Sequence, residues 1–179
     1  MAKPAEGGNR GRTRPRTEEQ KEFDQRILEL ARVTRVTKGG KRMRFRACVI
    51  IGDRKGRVGY GIAKGGDVQQ SVAKAALQAK KRLVIVPLRN ETIPFTVHEK
   101  FAAASIILMP APKGTGIKAG GAVRVVLELA GVPNASAKIL GSGNKINNTK
   151  ATINALKKLK LPPVKDKKTV AAEVAPAAA

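Results

Sequence analysis

Apolar and polar positions alternate between residues 41 and 63, with the period of two expected of half-buried strands. One face of the strand from residue 41 to 51 carries Met43, Phe45, Ala47, Val49 and Ile51, and the other carries Arg42, Arg44 and Arg46. Successive strand side chains point to opposite sides, so this strand has an apolar and a cationic face. A second strand from residue 57 to 63 is predicted by Val58, Tyr60 and Ile62 on one face.

Glycines mark the turns of this predicted sheet. Lys38-Gly39-Gly40-Lys41 predicts a tight hairpin between a strand that begins near Arg32 and the alternating strand, because glycine tolerates positive φ. The polar stretch 52–56 predicts the next turn. Three antiparallel strands therefore form a sheet that carries arginines on one side.

Spacings of three and four residues predict a helix on either side of these strands. Phe23, Ile27 and Leu30 predict a helix up to about Ala31, and residues 17–20 form a capping box before it. The second helix, predicted from an N-cap at Asp67 to about Arg82, has Val68, Val72, Ala76 and Ala79 on its apolar face. We expect this second helix to cover the apolar side of the sheet and the opposite side to stay basic.

The second half of the chain has a different pattern, so a domain boundary is placed near residue 89. Strands are predicted at 92–97, 104–109 and 135–140, with a glycine-rich loop at 113–121. That loop opens a helix in which Arg124 and Glu128 pair at i, i+4, and a last helix turns Ile153, Leu156 and Leu159 inward. The predicted class is α+β with two small two-layer domains, at 17–88 and 89–161, a disordered basic leader at 1–16 and a flexible tail at 162–179.

Charge then suggests a partner for the basic sheet. The chain has 36 Lys and Arg against 13 Asp and Glu, a net charge of +23, which predicts binding to a polyanion. Eleven of the basic residues lie between Arg32 and Asp67, where Asp53 is the single preceding acid. The predicted RNA-binding residues are Arg32, Arg35, Lys38, Gly39, Gly40, Lys41, Arg42, Arg44, Arg46, Arg54, Lys55, Arg57 and Lys64.

These basic residues are expected to converge on one surface, made of a sheet face and the loops at 38–42 and 53–57. Gly59 and Gly61 would leave room there for a backbone to approach closely. Aromatic residues make up 3% of the chain and Trp is absent, so phosphate and shape contacts are favoured over base stacking.

Residues that carry chemistry are scarce. Cys48 is the single cysteine, which excludes an internal disulfide and indicates a reduced, cytoplasmic setting; we expect it to be a small buried residue. His98 has no evident metal partners, and the carboxylates are scattered. No enzyme activity, cofactor, metal or small-molecule substrate is predicted. A membrane partner is also excluded, because the longest apolar segment, 101–112, is shorter than the roughly 20 residues a span needs.

The glycine-rich loop leaves alternatives open. Gly114-x-Gly116-x-x-Ala119 approximates a dinucleotide fingerprint, but the downstream acid and the βαβ repeat are missing, and no Gly-Lys-Ser/Thr follows as in a Walker loop. A loop that contacts RNA phosphates or a protein neighbour is favoured. The alternatives are a general nucleic-acid-binding or chaperone protein, and a small-molecule kinase-like enzyme that uses residues 114–121 for ATP.

Three sequence blocks resemble the bacterial small-subunit ribosomal protein five family. They are GDRKGRVGYG at 52–61, GTGIKAGGAVR at 114–124 and GSGNKINNTKATINAL at 141–156. The resemblance covers roughly residues 17–160 and implies a first domain like the double-stranded-RNA-binding fold and a second with a left-handed βαβ crossover. The chain departs from the family at Lys145, where proline is common.

The resemblance also implies a role and partners. It implies a structural protein of the ribosome that binds small-subunit rRNA, helps assembly and influences decoding accuracy. It further implies contact with ribosomal proteins four and eight and with messenger RNA near its entry channel. The hairpin at 38–40 is similar to the family's loop where substitutions alter the spectinomycin response. The predicted protein-interface residues are Gly114, Gly116, Lys118 and Arg124, of which Gly116 and Arg124 resemble positions facing protein four.

Overall fold

The structure, a computed structural model, describes residues 22–160 and begins with a four-stranded antiparallel sheet. Its strands are β1 (Asp24–Thr37), β2 (Gly40–Gly52), β3 (Arg57–Gly65) and β4 (Leu83–Ile85), in that spatial order. Helix α1 (Val68–Lys80) lies between β3 and β4 in the chain. The predicted hairpin, the two strands after it and the helix from Val68 are confirmed. The predictions for the leader, the capping box and the tail lie outside the described residues.

The predicted helix over residues 23–31 is wrong, because this segment is the first part of strand β1. Ile27 pairs with Val49 and Leu30 with Ala47, and a β-bulge between Ile27 and Glu29 inserts one extra residue. The bulge puts Ile27 and Leu30, three residues apart, on the same face of the sheet. A bulged strand thus reproduces the spacing of an amphipathic helix.

Helix α1 covers one face of the sheet at very close range. Ala75 and Ala79 pack against Ala47, Val49 and Ile51 of β2 in a small buried cluster. Glycines of β3 permit this approach: a Cβ on Gly61 would lie 1.9 Å from the Ala75 carbonyl oxygen, and one on Gly59 would lie 2.6 Å from that of Ala79. The backbone that approaches Gly59 and Gly61 is therefore that of α1, which corrects the expectation that they lie in the nucleic-acid surface.

The second sheet is mixed. It contains β5 (Val97–Phe101), β6 (Ala104–Pro110), β7 (Ile117–Lys118) and β8 (Ala135–Ile139) in the order β5-β6-β8-β7. Helices α2 (Gly121–Ala130) and α3 (Lys145–Lys158) complete the unit. Parallel strands β7 and β8 joined by α2 form a βαβ unit, and its hand stays a prediction.

The strand predicted at 92–97 is wrong, since β5 starts only at Val97. Asn90 and Glu91 have positive φ angles of 52° and 64°, so the chain turns there, and Thr92 makes only isolated bridges. No helix within residues 22–160 is long and apolar enough to cross a membrane.

The main core joins the two sheets. Ile50 and Val58 of the first sheet are buried in one cluster with Val126 and Leu129 of α2 and Leu156 of α3. Two backbone hydrogen bonds tie the 52–56 turn to the end of α2, from Arg54 N to Leu129 O (3.0 Å) and from Gly56 N to Ala130 O (2.9 Å). The sheet face opposite α1 is thus covered along its inner half, so the prediction that this whole face stays basic is wrong. The proposed boundary near residue 89 lies between the sheets, and the core continues across it.

Candidate nucleic-acid interface

The outer half of the β1–β2 hairpin extends beyond both cores. Every residue from 34 to 44 is exposed, whereas residues 47–52 of β2 are buried. Lys38 and Gly39 form the turn, and the Thr37 hydroxyl donates to the carbonyl of Gly40 (3.1 Å). Val36, beside the turn, is 80% exposed. Among the described residues, this two-stranded arm is held by the hydrogen bonds between its own strands and by the Thr37 contact, so its surface is available to a partner.

Strand register gathers the arginines of this arm on one face. Arg42 lies opposite Arg35, and Arg46 lies opposite both Ala31 and Lys64. Residues directly opposite in an antiparallel pair share a face, so these cations line the same side of the sheet as Arg44. A concavity of about 650 Å³ is lined by Arg35, Lys41, Arg42, Arg44 and Lys64 together with the glycines of the turn. Arg32 lies opposite Phe45 and Lys41 lies opposite Val36, so along the strands both alternate with the residues of this face. Lys38 is at the tip of the hairpin.

The charge of the arm is largely unneutralised. Within residues 22–160, ion pairs are absent from Arg32, Arg35, Lys38, Lys41, Arg42, Arg44 and Lys64. Arg46 is the exception, because its Nη2 lies 3.0 Å from Glu29 Oε1. Closely spaced cations without counter-charges create a positive potential that attracts phosphates.

Arg54, Lys55 and Arg57 lie at the other end of the sheet. The 13 residues of β2 separate the two turns, a distance of about 40 Å at the usual rise of a strand. The prediction that both basic loops converge on one surface is therefore wrong. Arg54 Nε lies 2.9 Å from Asp24 Oδ2, and Arg57 Nε lies 2.6 Å from Asp53 Oδ2. A role for these three residues in RNA binding stays a prediction.

Asp53 organises that second turn. Its Oδ1 accepts hydrogen bonds from the backbone N–H groups of Lys55 (2.8 Å) and Arg57 (2.9 Å). Burial alone would raise the pKa of this carboxyl, but the hydrogen bonds from the Arg57 side chain and from the two backbone amides outweigh it, and the pKa is lowered. Asp53 therefore fixes the turn that docks on α2.

The four predicted protein-interface residues lie around the start of α2. Gly114 and Gly116 have positive φ angles of 86° and 71°, and Lys118 is exposed on the edge strand β7. The Arg124 N–H donates to Gly120 O (2.8 Å), so Arg124 sits one turn beyond the loop. All four residues lie within the loop before α2 or its first turn, and a protein partner for them stays a prediction.

The Gly116 amide of the glycine-rich loop is already used inside the protein, which counts against the phosphate cradle of the kinase-like alternative. Its middle is strand β7, and the Gly116 N–H donates to Asn134 Oδ1 (3.1 Å), while the Gly116 carbonyl accepts from Ala135 N (3.1 Å). An amide that already has an acceptor inside the protein is not free for a nucleotide phosphate.

Glu128 connects α2 to the first sheet. Arg124 Nε lies 2.9 Å from Glu128 Oε1, which confirms the predicted i, i+4 pair, and Arg26 Nη1 of β1 lies 2.6 Å from Oε2. The hydrogen bond from Arg124, followed by the charge of Arg26, lowers the pKa of Glu128 against the opposing effect of burial. Arg124 is thus a paired side chain, unlike the arginines of the hairpin.

The two remaining candidate groups are a buried thiol and a surface imidazole. Burial, followed by the negative charge of Glu29, raises the pKa of the Cys48 thiol to about 11, so the thiol stays protonated. His98 is exposed, and its Nε2 lies 2.9 Å from the Ser105 hydroxyl.

Sequence reasoning missed one group of exposed cations, on helix α1 and directly after it. Lys74, Lys81 and Arg82 line a shallow groove on its outer side, with Leu77 and Gln78 between them. The available signal was that residues 68–90 contain no Asp or Glu.

Comparison with known families identifies both halves of the chain. Residues 23–87 match the family described as ribosomal protein S5, N-terminal domain. Residues 99–169 match ribosomal protein S5, C-terminal domain. The two matches together cover more than half of the chain and occur in the family's order.

Proposed function

The chain belongs to the ribosomal protein S5 family, and from that premise we propose that the outer half of the β1–β2 hairpin is its main rRNA-binding element. As a member of this family it is a structural component of the small ribosomal subunit with ribosomal RNA as a partner, and it is not an enzyme. The kinase-like alternative and the alternative of a general nucleic-acid chaperone are thereby set aside.

The observation that carries the proposal is the contrast between the two ends of β2. At the hairpin end, Arg35, Arg42 and Arg44 line a concavity, and none of them has an ion pair with a carboxylate of residues 22–160. At the turn end, Arg54 and Arg57 are each paired with an aspartate. A cation gains most from a phosphate when no carboxylate already neutralises it.

The arm suits a structured RNA recognised by shape and phosphates. Its tip has two glycines, and a Cβ on Gly39 or Gly40 would meet no atom of the described residues within 4 Å beyond its chain neighbours. A slender cationic arm can enter a junction between RNA helices, whereas the major groove of A-form RNA is too narrow for side-chain readout.

The finer functions follow from the family and remain proposals. The surface around Gly114, Gly116, Lys118 and Arg124 would contact ribosomal protein four, and the protein would also contact ribosomal protein eight. Through these contacts the protein would support assembly and influence decoding accuracy. Basic residues of the first unit would lie near the entering messenger RNA.

The test is a matched pair of double variants in the full chain. Arg42→Ala with Arg44→Ala should weaken binding to small-subunit rRNA about tenfold to hundredfold, because each removes a charge-assisted hydrogen bond. It should also reduce the slope of log affinity against log salt by about 2. Arg54→Ala with Lys55→Ala removes the same charge at the other end and should change both quantities far less. Equal effects of the two pairs would show that general charge, and not the arm, binds the RNA.

A further inference from the structure

Helix α1 presents a cationic surface that the hairpin cannot share. The helix packs on the sheet through Ala75 and Ala79, against the face of β2 that bears Val49. Arg42 and Arg44 project from the opposite face of the same strand. The outer side of α1 therefore looks away from the concavity of the hairpin, and one RNA segment in that concavity leaves α1 free.

The outer side of α1 forms a groove with a basic lining. The groove is open and shallow, with a volume of about 390 Å³, and it is lined by Lys74, Leu77, Gln78, Lys81 and Arg82. Lys74 and Lys81 are two helical turns apart, about 10 Å along the axis. Three cations around one groove, with no acid on the helix, match a run of phosphates by charge complementarity.

Two further side chains of the groove fit a nucleic acid better than solvent. Leu77 is 62% exposed between the cations, where it offers apolar contact to a ribose. Gln78 is held in place because its Oε1 accepts the Ile62 N–H (2.9 Å), and its amide nitrogen is left to donate. A fixed donor beside flexible cations positions a phosphate or a 2′-hydroxyl.

Helix stability explains only part of this pattern. Lys80 in the last turn and Lys81 at the C-cap complement the helix dipole. Lys74 lies in the middle of the helix, where the dipole gives it no such benefit, and it has no ion pair within residues 22–160. The groove therefore needs a second explanation.

We propose that the α1 groove binds the phosphate backbone of a second RNA segment while the hairpin holds the first, so that the protein bridges two pieces of RNA. This inference rests on the proposed function of the hairpin. The chemistry of the site is that of an RNA backbone recognised without sequence preference, because the groove has no aromatic side chain for stacking.

A two-step capture experiment tests the bridge. Biotinylated small-subunit rRNA is immobilised and saturated with the full chain, unbound protein is washed away, and a fluorescent 16-base-pair RNA duplex is then added. The wild-type protein should retain the duplex. The triple variant Lys74→Gln, Lys81→Gln, Arg82→Gln should occupy the immobilised rRNA within about twofold of wild type and retain about tenfold less duplex. These side chains are exposed, so circular dichroism should show an unchanged fold.

The control is a variant that loses the same amount of positive charge from the second unit. Lys100→Gln, Lys138→Gln, Lys157→Gln removes three exposed lysines of the second unit and should retain the duplex as wild type does. If the α1 variant and this control retain the same amount of duplex, the inference is overturned. An acidic protein segment would then be the next candidate ligand of the α1 groove. Parallel loss of both RNAs also overturns it, because it places α1 on the same segment as the hairpin. Failure of wild type to occupy the immobilised rRNA contradicts the proposed function instead.

Discussion

Individual side chains in this protein differ most in whether a counter-charge is already present. Asp53 accepts three hydrogen bonds, two from backbone amides and one from Arg57, and its side chain is 5% exposed. Arg42 and Arg44 make no such bonds within residues 22–160. The sequence shows both kinds of residue as members of one basic stretch, because a one-dimensional pattern cannot tell which cations have an aspartate beside them.

Asp53 should make stability depend on pH in the acid range. Its pKa is lowered in the folded protein, so its charged form stabilises the fold fully above the ordinary pKa of about 3.9, and this contribution is lost as pH falls through the folded value. We expect Asp53→Asn to lower the free energy of unfolding by about 1–2 kcal/mol at pH 7.

Urea titrations of both proteins at a series of pH values from 7 downwards measure this. The difference between wild type and variant should shrink once the pH passes below about 3.9. A difference that stays constant down to the lowest pH would show that the Asp53 charge contributes nothing. Asp67→Asn is the control, because Asp67 makes no side-chain cap hydrogen bond.

At the scale of elements, the strands and helices with simple periods could be predicted and the bulged one could not. The alternation from Met43 to Ile51 and the turn glycines gave β2 and the hairpin correctly. Phe23, Ile27 and Leu30 share a face in both a helix and a bulged strand, so their spacing does not distinguish the two. The deciding interaction is pairing with β2, which is a tertiary contact.

The close packing of α1 on β3 gives a prediction about this pair of elements. Gly61→Ala places a Cβ within 1.9 Å of the Ala75 carbonyl, a backbone atom that cannot rotate away, so α1 must move off the sheet. We expect a loss of about 2–4 kcal/mol of unfolding free energy, in the range of severe overpacking.

Gly66→Ala is the matched control directly after the same strand, since the nearest atom to its Cβ would be a Gln70 side-chain oxygen at 3.8 Å. It should change stability by less than about 0.5 kcal/mol. Chemical denaturation of the two variants measures both changes in the free energy of unfolding. Equal, small effects would show that α1 is not held against β3 at the distance described.

At the scale of the whole molecule, the sequence predicts two units but not the core they share. The blocks at 52–61 and 114–124 indicate the family, whereas only the fold shows that Gly131 packs on the 52–56 turn. A Cβ there would lie 2.0 Å from the Arg54 carbonyl, and Gly131 has φ of 75°. In the sequence, Gly131 indicates only that a helix ends there, as glycine commonly does. The packing of the second unit covers the inner half of the sheet face opposite α1, so the arginines of β2 that stay exposed without an ion pair within residues 22–160 are Arg42 and Arg44, in the hairpin.

A shared core predicts that the two units unfold together. Leu129 is buried at 4% exposure in the cluster that includes Ile50 and Val58, and its carbonyl accepts the Arg54 N–H. Leu129→Ala should therefore lower stability by about 2–5 kcal/mol, and hydrogen exchange should quicken in β2 and β3 as much as in α2 and α3. Calorimetry should show one transition for the wild type and for the variant.

Leu140→Ala, at a position 56% exposed, is the control and should leave both measurements unchanged. If only α2 and α3 lost protection, the two units would be independent domains, and the rigid base that the hairpin arm needs would have to come from the first sheet and α1 alone.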